Sequence, residues 1–241
     1  DRFAIVLPTG VDFIEVFFAA HWLGAVPIPL YPPIRLGRLD EYYDQTARMI
    51  ECTDTRLLVT DSRINRVLGP LLRRTKLELG IQLATQLRRA EAASHTQAHP
   101  DDLALIQFSS GTTTEPKPVG LTHRQIICNA EAILDFVPES EAVPSSGVSW
   151  LPLYHDMGLI GCIVSAAHRV RTLTLIPPEA FLARPAIWLR AISRYRASVS
   201  PAPNFAFALC NERIKDAELQ GCDLSSWRLA LNGAEPIAPA T

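Results

Sequence analysis

Phe3-Ala4-Ile5-Val6-Leu7-Pro8-Thr9-Gly10 opens the first legible unit of the chain, and Val11 to Leu23 completes it. Five consecutive apolar residues running into a Pro-Thr-Gly turn predict a buried strand. The segment beyond sets Phe13, Val16, Phe17, Ala20 and Leu23 at helical spacing, and Gly24 ends it. The prolines of Val26-Pro27-Ile28-Pro29-Leu30-Tyr31-Pro32-Pro33 exclude a helix and hold their neighbours extended.

The same alternation continues outward. A helix is expected over Leu39 to Cys52 and a strand over Arg56 to Thr60, after which Asp61 is placed to cap a helix running towards Lys76. Leu87 to Asp102 has little apolar period and marks the expected subdomain boundary. Beyond it, strands are expected at Leu103 to Phe108, Val148 to Leu151 and Thr172 to Ile176. Helices are expected at Thr122 to Phe136, Gly158 to Ala167, Pro185 to Tyr195 and Pro203 to Asp216. Ala230 to Ala234 reads as a buried strand followed by a turn. The pattern predicts an α/β fold with mostly parallel sheets flanked by helices, in two βαβ-type subdomains over residues 1–100 and 101–241. No internal repeat or low-complexity tract is visible in the sequence.

Composition narrows the partners. At 241 residues and 48% hydrophobic, the chain can bury a sizeable core. Its 23 basic and 25 acidic residues are mixed along the sequence, leaving a net charge of −2 and no basic footprint for nucleic acid or a membrane surface. Any polyanion must therefore be met locally. Apolar runs are broken by Pro, Gly or charge before the ~20 residues of a membrane span, so no span is expected, and no signal-peptide pattern is read in the opening residues. Cys52, Cys128, Cys162, Cys210 and Cys222 lack CxxC spacing, and mostly within apolar stretches they read as small buried hydrophobes. A reducing, cytoplasmic setting is expected. The chain enters a strand almost at Asp1 and stops soon after the turn at Gly233-Ala234, so it is expected to be a piece of a longer protein whose C-terminal domain is absent.

Three segments carry chemistry. Ser109-Ser110-Gly111-Thr112-Thr113-Thr114-Glu115-Pro116-Lys117 follows the strand at Leu103. Hydroxyls, loop amides, a permissive Gly111 and the point charge of Lys117 suit phosphate oxygens, although a polar βα connection of this composition is also common. It is not a Walker A loop, because Pro116 and Pro118 stand where that motif needs Gly and a hydroxyl residue. Trp150-Leu151-Pro152-Leu153-Tyr154-His155-Asp156-Met157-Gly158 puts a histidine at a strand end, where the residue is more often structural than catalytic. Adjacent His155 and Asp156 rarely converge on one ion, so no metal site made of protein side chains is expected. Leu229-Ala230-Leu231-Asn232-Gly233-Ala234-Glu235-Pro236 is, by composition, an ordinary strand-end turn.

Taken in order, these segments resemble the adenylate-forming superfamily, which includes acyl-CoA synthetases, peptide-synthetase adenylation domains and firefly luciferase. The resemblance runs from Ile28 to the last turn, and the wording around His155 looks like its fatty-acyl-AMP ligase branch. It implies that Ser109, Ser110, Gly111, Thr112, Thr113, Thr114 and Lys117 bind ATP phosphates, and that Gly233, Ala234, Glu235 and Pro236 form the adenine-binding turn. It implies that Met157, Asn204 and Phe205 line an acyl pocket, although aromatics at that spacing also serve as plain core. His155 would orient the acid's carboxylate while Lys117 holds the outgoing pyrophosphate. Mg²⁺ would be held mainly by ATP itself and by residues outside this chain. The family pattern carries Gly where this chain has Thr114 and Pro118, which stiffens the loop. The implied activity is conversion of a fatty acid to its acyl-adenylate, for transfer to the phosphopantetheine thiol of an acyl carrier protein. An acyl-CoA synthetase shares that first step and differs in its acceptor, CoA. A degenerate adenylate-binding module is the alternative of another class, and the loop spacing disfavours a generic P-loop NTPase.

Overall fold

The computed structural model describes residues 1–33, 36–91, 93–109, 116–137 and 145–238. They form two compact units, Asp1–Ile126 and Ile127–Thr241.

The first unit is built on β1 (Arg2–Val6), α1 (Val11–Trp22), β2 (Val26–Pro29), α2 (Leu39–Cys52), β3 (Leu57–Thr60), α3 (Ser62–Leu68), β4 (Ile81–Leu83) and α4 (Ala84–Leu87). Its sheet is parallel in the order β2-β1-β3-β4. Ala4, Ile5 and Val6 are fully buried, as a continuous apolar run in a covered parallel strand requires. Phe13, Val16, Phe17 and Ala20 form the buried stripe of α1. Gly24 ends that helix at φ +66°, where a Cβ would lie 2.9 Å from Thr96 Cγ2. The low-period stretch is thereby tied to α1: Trp22 Nε1 donates to the Ala93 carbonyl (3.3 Å) and Thr96 N to the Trp22 carbonyl (2.9 Å). Asp61 caps α3, accepting from the amides of Arg63 (2.8 Å) and Ile64 (2.7 Å). This helix stops at Leu68, well short of Lys76, because Gly69-Pro70 cannot continue the amide ladder and the chain tightens into a 3₁₀ turn over Gly69–Arg73.

β5 (Leu103–Phe108) and β6 (Pro118–Thr122) form an antiparallel pair, from Phe108 opposite Pro118 to Leu103 opposite Thr122. This corrects the sequence reading of 109–117 as a strand-to-helix connection: it joins two antiparallel strands, and α5 (His123–Asp135) begins only after β6. Prolines at 116 and 118 and the glycine at 120 read as loop, yet Pro118 stands at the first strand residue, where a missing N–H is tolerated.

The second unit contains β7 (Gly147–Ser149), α6 (Asp156–Gly158), a π-helical segment (Leu159–Val164), α7 (Ser165–His168) and β8 (Leu173–Leu175). α8 (Pro178–Ala183), α9 (Ala186–Tyr195), β9 (Val199–Ala202), α10 (Asn204–Arg213) and β10 (Leu229–Asn232) complete it. Its sheet is again parallel, in the order β10-β9-β7-β8. β9 was not foreseen, because Pro201 argues against a central strand. The core packs Trp150, Phe181 and Trp188, with Trp150 stacked on Phe181 at 4.0 Å between centroids. Trp188 Nε1 donates to Ser200 Oγ (2.7 Å), which donates to the Val148 carbonyl (2.5 Å), so the buried indole is satisfied. Cys162 and Cys210 are buried as expected, whereas Cys52 and Cys128 are exposed on helix surfaces; all five thiols are free. Among the described residues, no helix is long and apolar enough to cross a membrane.

Candidate active site

In the second sheet, β7 connects to β8 on one side, and the chain then returns to place β9 and β10 on the other. The connections leaving the carboxyl ends of β7 and β9 therefore run to opposite sides, which makes this the topological switch point, the position where open α/β sheets bind ligands. Trp150 to His155 leave β7 there, Pro203 and α10 leave β9, and Gly233 to Pro236 leave β10.

His155 occupies the N-cap position of α6 in extended geometry. Its backbone N–H donates to the Pro152 carbonyl (3.2 Å), and its carbonyl accepts from Leu159 N (2.9 Å). Its Nδ1 lies 2.6 Å from Asp156 Oδ1, and that oxygen also accepts from Met157 N at 2.8 Å. The hydrogen bond to Asp156 raises the imidazole pKa above its ordinary value, against burial, and lowers that of the Asp156 carboxyl. With Nδ1 committed to the carboxylate, Nε2 is the nitrogen left for a ligand. Gly158 lets this helix approach the preceding strand end, since a Cβ there would lie 2.3 Å from the Pro152 carbonyl oxygen. The backbone then widens into the π segment, and buried Ser165 Oγ donates to the Ile160 carbonyl at 2.9 Å. Such segments recur at functional sites.

The other two segments meet this one. The Met157 methyl is 3.8 Å from where a Cβ on Gly233 would sit. Trp150 meets Phe205 edge to face at 5.8 Å, with Asn204 buried and Phe205 43% exposed. Three bonds hang the final turn from the β9–α10 connection. Gly233 N donates to the Ala202 carbonyl (3.3 Å), Asn232 Nδ2 donates to Asn204 Oδ1 (3.2 Å), and Phe205 N donates to Glu235 Oε1 (2.5 Å). Ala234 takes a left-handed φ of 68° and Pro236 is exposed. His155, Met157, Asn204, Phe205 and the 233–236 turn thus share one edge of one sheet. Asn232 was not singled out from the sequence, and no local pattern announces a partner 28 residues away.

Ser109 and Lys117 belong to the first unit. Ser109 N donates to the Lys117 carbonyl (3.0 Å), closing the base of their loop, and Lys117 is exposed. Ser110, Gly111, Thr112, Thr113 and Thr114 lie outside the described residues. Among those described, no three His, Cys, Asp or Glu side chains form a metal-holding group.

A model of the AMP-binding enzyme family matches residues 1–241. The chain belongs to that family. A 4-hydroxyphenylalkanoate adenylyltransferase of Mycobacterium marinum is 35% identical, over 100% of this chain and 39% of its own. A medium-chain-fatty-acid–[acyl-carrier-protein] ligase of Teredinibacter turnerae is 31% identical, over 98% of this chain and 42% of its own. The fold matches a solved chain from studies of the fatty acyl-adenylate ligases of E. coli and L. pneumophila, with TM-score 0.93 and 30% identity, over 100% of this chain and 43% of that one. The chain thus spans about two fifths of the length of these AMP-binding relatives.

Proposed function

We propose that the protein carrying this chain activates a fatty acid with ATP, forming an acyl-adenylate and pyrophosphate, and passes the acyl group to a carrier-protein thiol. The carrying observation is the convergence of the His155-Asp156 pair, the start of α10 and the Gly233–Pro236 turn at the switch point of a parallel sheet. The names of the relatives, an adenylyltransferase and an acyl-carrier-protein ligase, support this reading.

The chemistry needs no general base, since a carboxylate is already a nucleophile. One carboxylate oxygen attacks the α-phosphorus in line; the new C–O–P linkage forms as the bond to the pyrophosphate oxygen breaks, and that oxygen keeps the electron pair. His155, whose protonated form is favoured by Asp156, is suited to orient the carboxylate and offset the charge developing on the α-phosphate. Lys117 is assigned to the departing pyrophosphate together with the 109–114 loop, the adenine to the backbone of the 233–236 turn, whose shape Glu235 and Pro236 fix, and the acyl chain to Met157, Asn204 and Phe205. Mg²⁺ would arrive on the ATP phosphates and screen their charge.

The test is ATP–pyrophosphate exchange by the full-length protein, with acyl-AMP identified by mass spectrometry. Medium- and long-chain fatty acids are expected to drive exchange, and Lys117→Ala to slow it on the order of a hundredfold. Acyl transfer to a phosphopantetheinylated carrier but not to free CoA is the expected second step; transfer to CoA alone would make the protein an acyl-CoA synthetase. Failure of every fatty acid to support exchange would remove the substrate assignment, and exchange with 4-hydroxyphenylalkanoates instead would redirect it.

A further inference from the structure

α10 begins without a cap of its own. Pro203 at its N-cap position offers no side-chain acceptor, and the Asn204 side-chain Oδ1 accepts from Asn232 Nδ2. One of the free amides of its first turn, Phe205 N, is satisfied by Glu235, which arrives from 30 residues further along the chain. Glu235 in turn anchors a segment with little else to hold it: Ala234, Glu235, Pro236 and Ile237 are all exposed, and Ala234 sits in a backbone region unfavourable to a residue with a side chain. The residue whose amide is capped also carries the ring that meets Trp150, the first residue of the segment ending at His155.

We infer that Glu235 is a positioning residue, which by capping α10 locks the turn after β10 to the first turn of that helix so that nucleotide and acid are bound by one rigid element. The inference rests on the proposed function for its ligands, though not for the bond itself. Glu235 then touches neither substrate. Its loss lets the turn and the helix start move independently, so the affinities for ATP and for the acid fall together.

The experiment compares wild type, Glu235→Gln and Glu235→Ala in the full-length protein. Gln keeps an acceptor oxygen for Phe205 N, and Ala removes it. Glu235→Ala is expected to raise KM for ATP and for the acid in parallel, each by about fivefold, the factor a single helix cap is worth. Glu235→Gln should stay within about twofold of wild type. Hydrogen exchange read by mass spectrometry should show peptides covering 204–207 and 232–236 losing protection together in Glu235→Ala alone. A rise in KM for ATP only, a Gln variant as impaired as Ala, or lowered thermal stability with unchanged kinetics would each overturn the inference. Should the wild type activate no acid, the proposed function fails, while loss of protection confined to one of the two peptides still refutes the lock by itself.

Discussion

His155 and Asp156 are neighbours in sequence, and their side chains bond only because an extended residue directly precedes a helix. Because the bond to Asp156 raises the His155 pKa above its ordinary value, kcat/KM for adenylate formation should fall as pH rises through that raised value. Asp156→Asn removes the main cause of the shift, so the alkaline limb should move to lower pH. His155→Ala should lose about a hundredfold in kcat and the limb with it; a pH profile unchanged by either substitution would contradict the assignment. The pair's effect on stability has two opposite edges. The contribution of His155 is complete below the ordinary imidazole value and is lost as pH rises through the raised folded one. That of Asp156 is complete above the ordinary carboxylate value and is lost as pH falls through the lowered folded one. In the core beneath, Ser200→Ala should cost about 1–3 kcal/mol in urea denaturation, since Trp188 Nε1 would stay buried without its acceptor. The histidine was legible as a residue type at a strand end. Its bond to Asp156 was not, because that depends on the angle at which the chain enters the helix.

Among elements, those fixed by local chemistry were readable and those fixed by distant partners were not. Asp61 announces its helix because the cap is spent within three residues, and the buried run before the Pro8-Thr9-Gly10 turn announces β1. β9 is hidden by Pro201, whose place in a central strand is set by the neighbours it pairs with, Leu231 among them. The cap of α10 is supplied from β10's far end, so no window around Asn204 contains it. Gly158 tests the closeness of α6 to the segment that leaves β7. Gly158→Ala sets a methyl against the Pro152 carbonyl and should destabilise the second unit by about 1–3 kcal/mol, measured by urea denaturation. A stability equal to wild type would mean that the backbone can give way there at no cost.

At the scale of the whole molecule, the parallel sheets and their helical cover were readable from alternation alone, whereas the order of the strands was not, since it is decided by which crossover goes which way. β10 ends its sheet with no further strand bonded to it among the described residues, and Leu231 on it is 37% exposed. The 241-residue chain on its own should therefore self-associate through that edge, and Leu231→Lys should reduce light scattering at equal concentration. Equal scattering by both would place the association elsewhere. Read as β8-β7-β9-β10, the second sheet follows the same wiring as β2-β1-β3-β4 in the first: the founding strand flanked by its successor on one side and the third and fourth on the other. The plan is used twice with no visible trace in the sequence. In the earlier copy the positions matching the His155 segment and the start of α10 are filled by Pro8, Thr9 and Gly10 and by Asp61, a carboxylate already committed to two amides. One wiring thus ends, at its later switch point, in His155 and the start of α10, and at its earlier one in residues that hold their own chain in place.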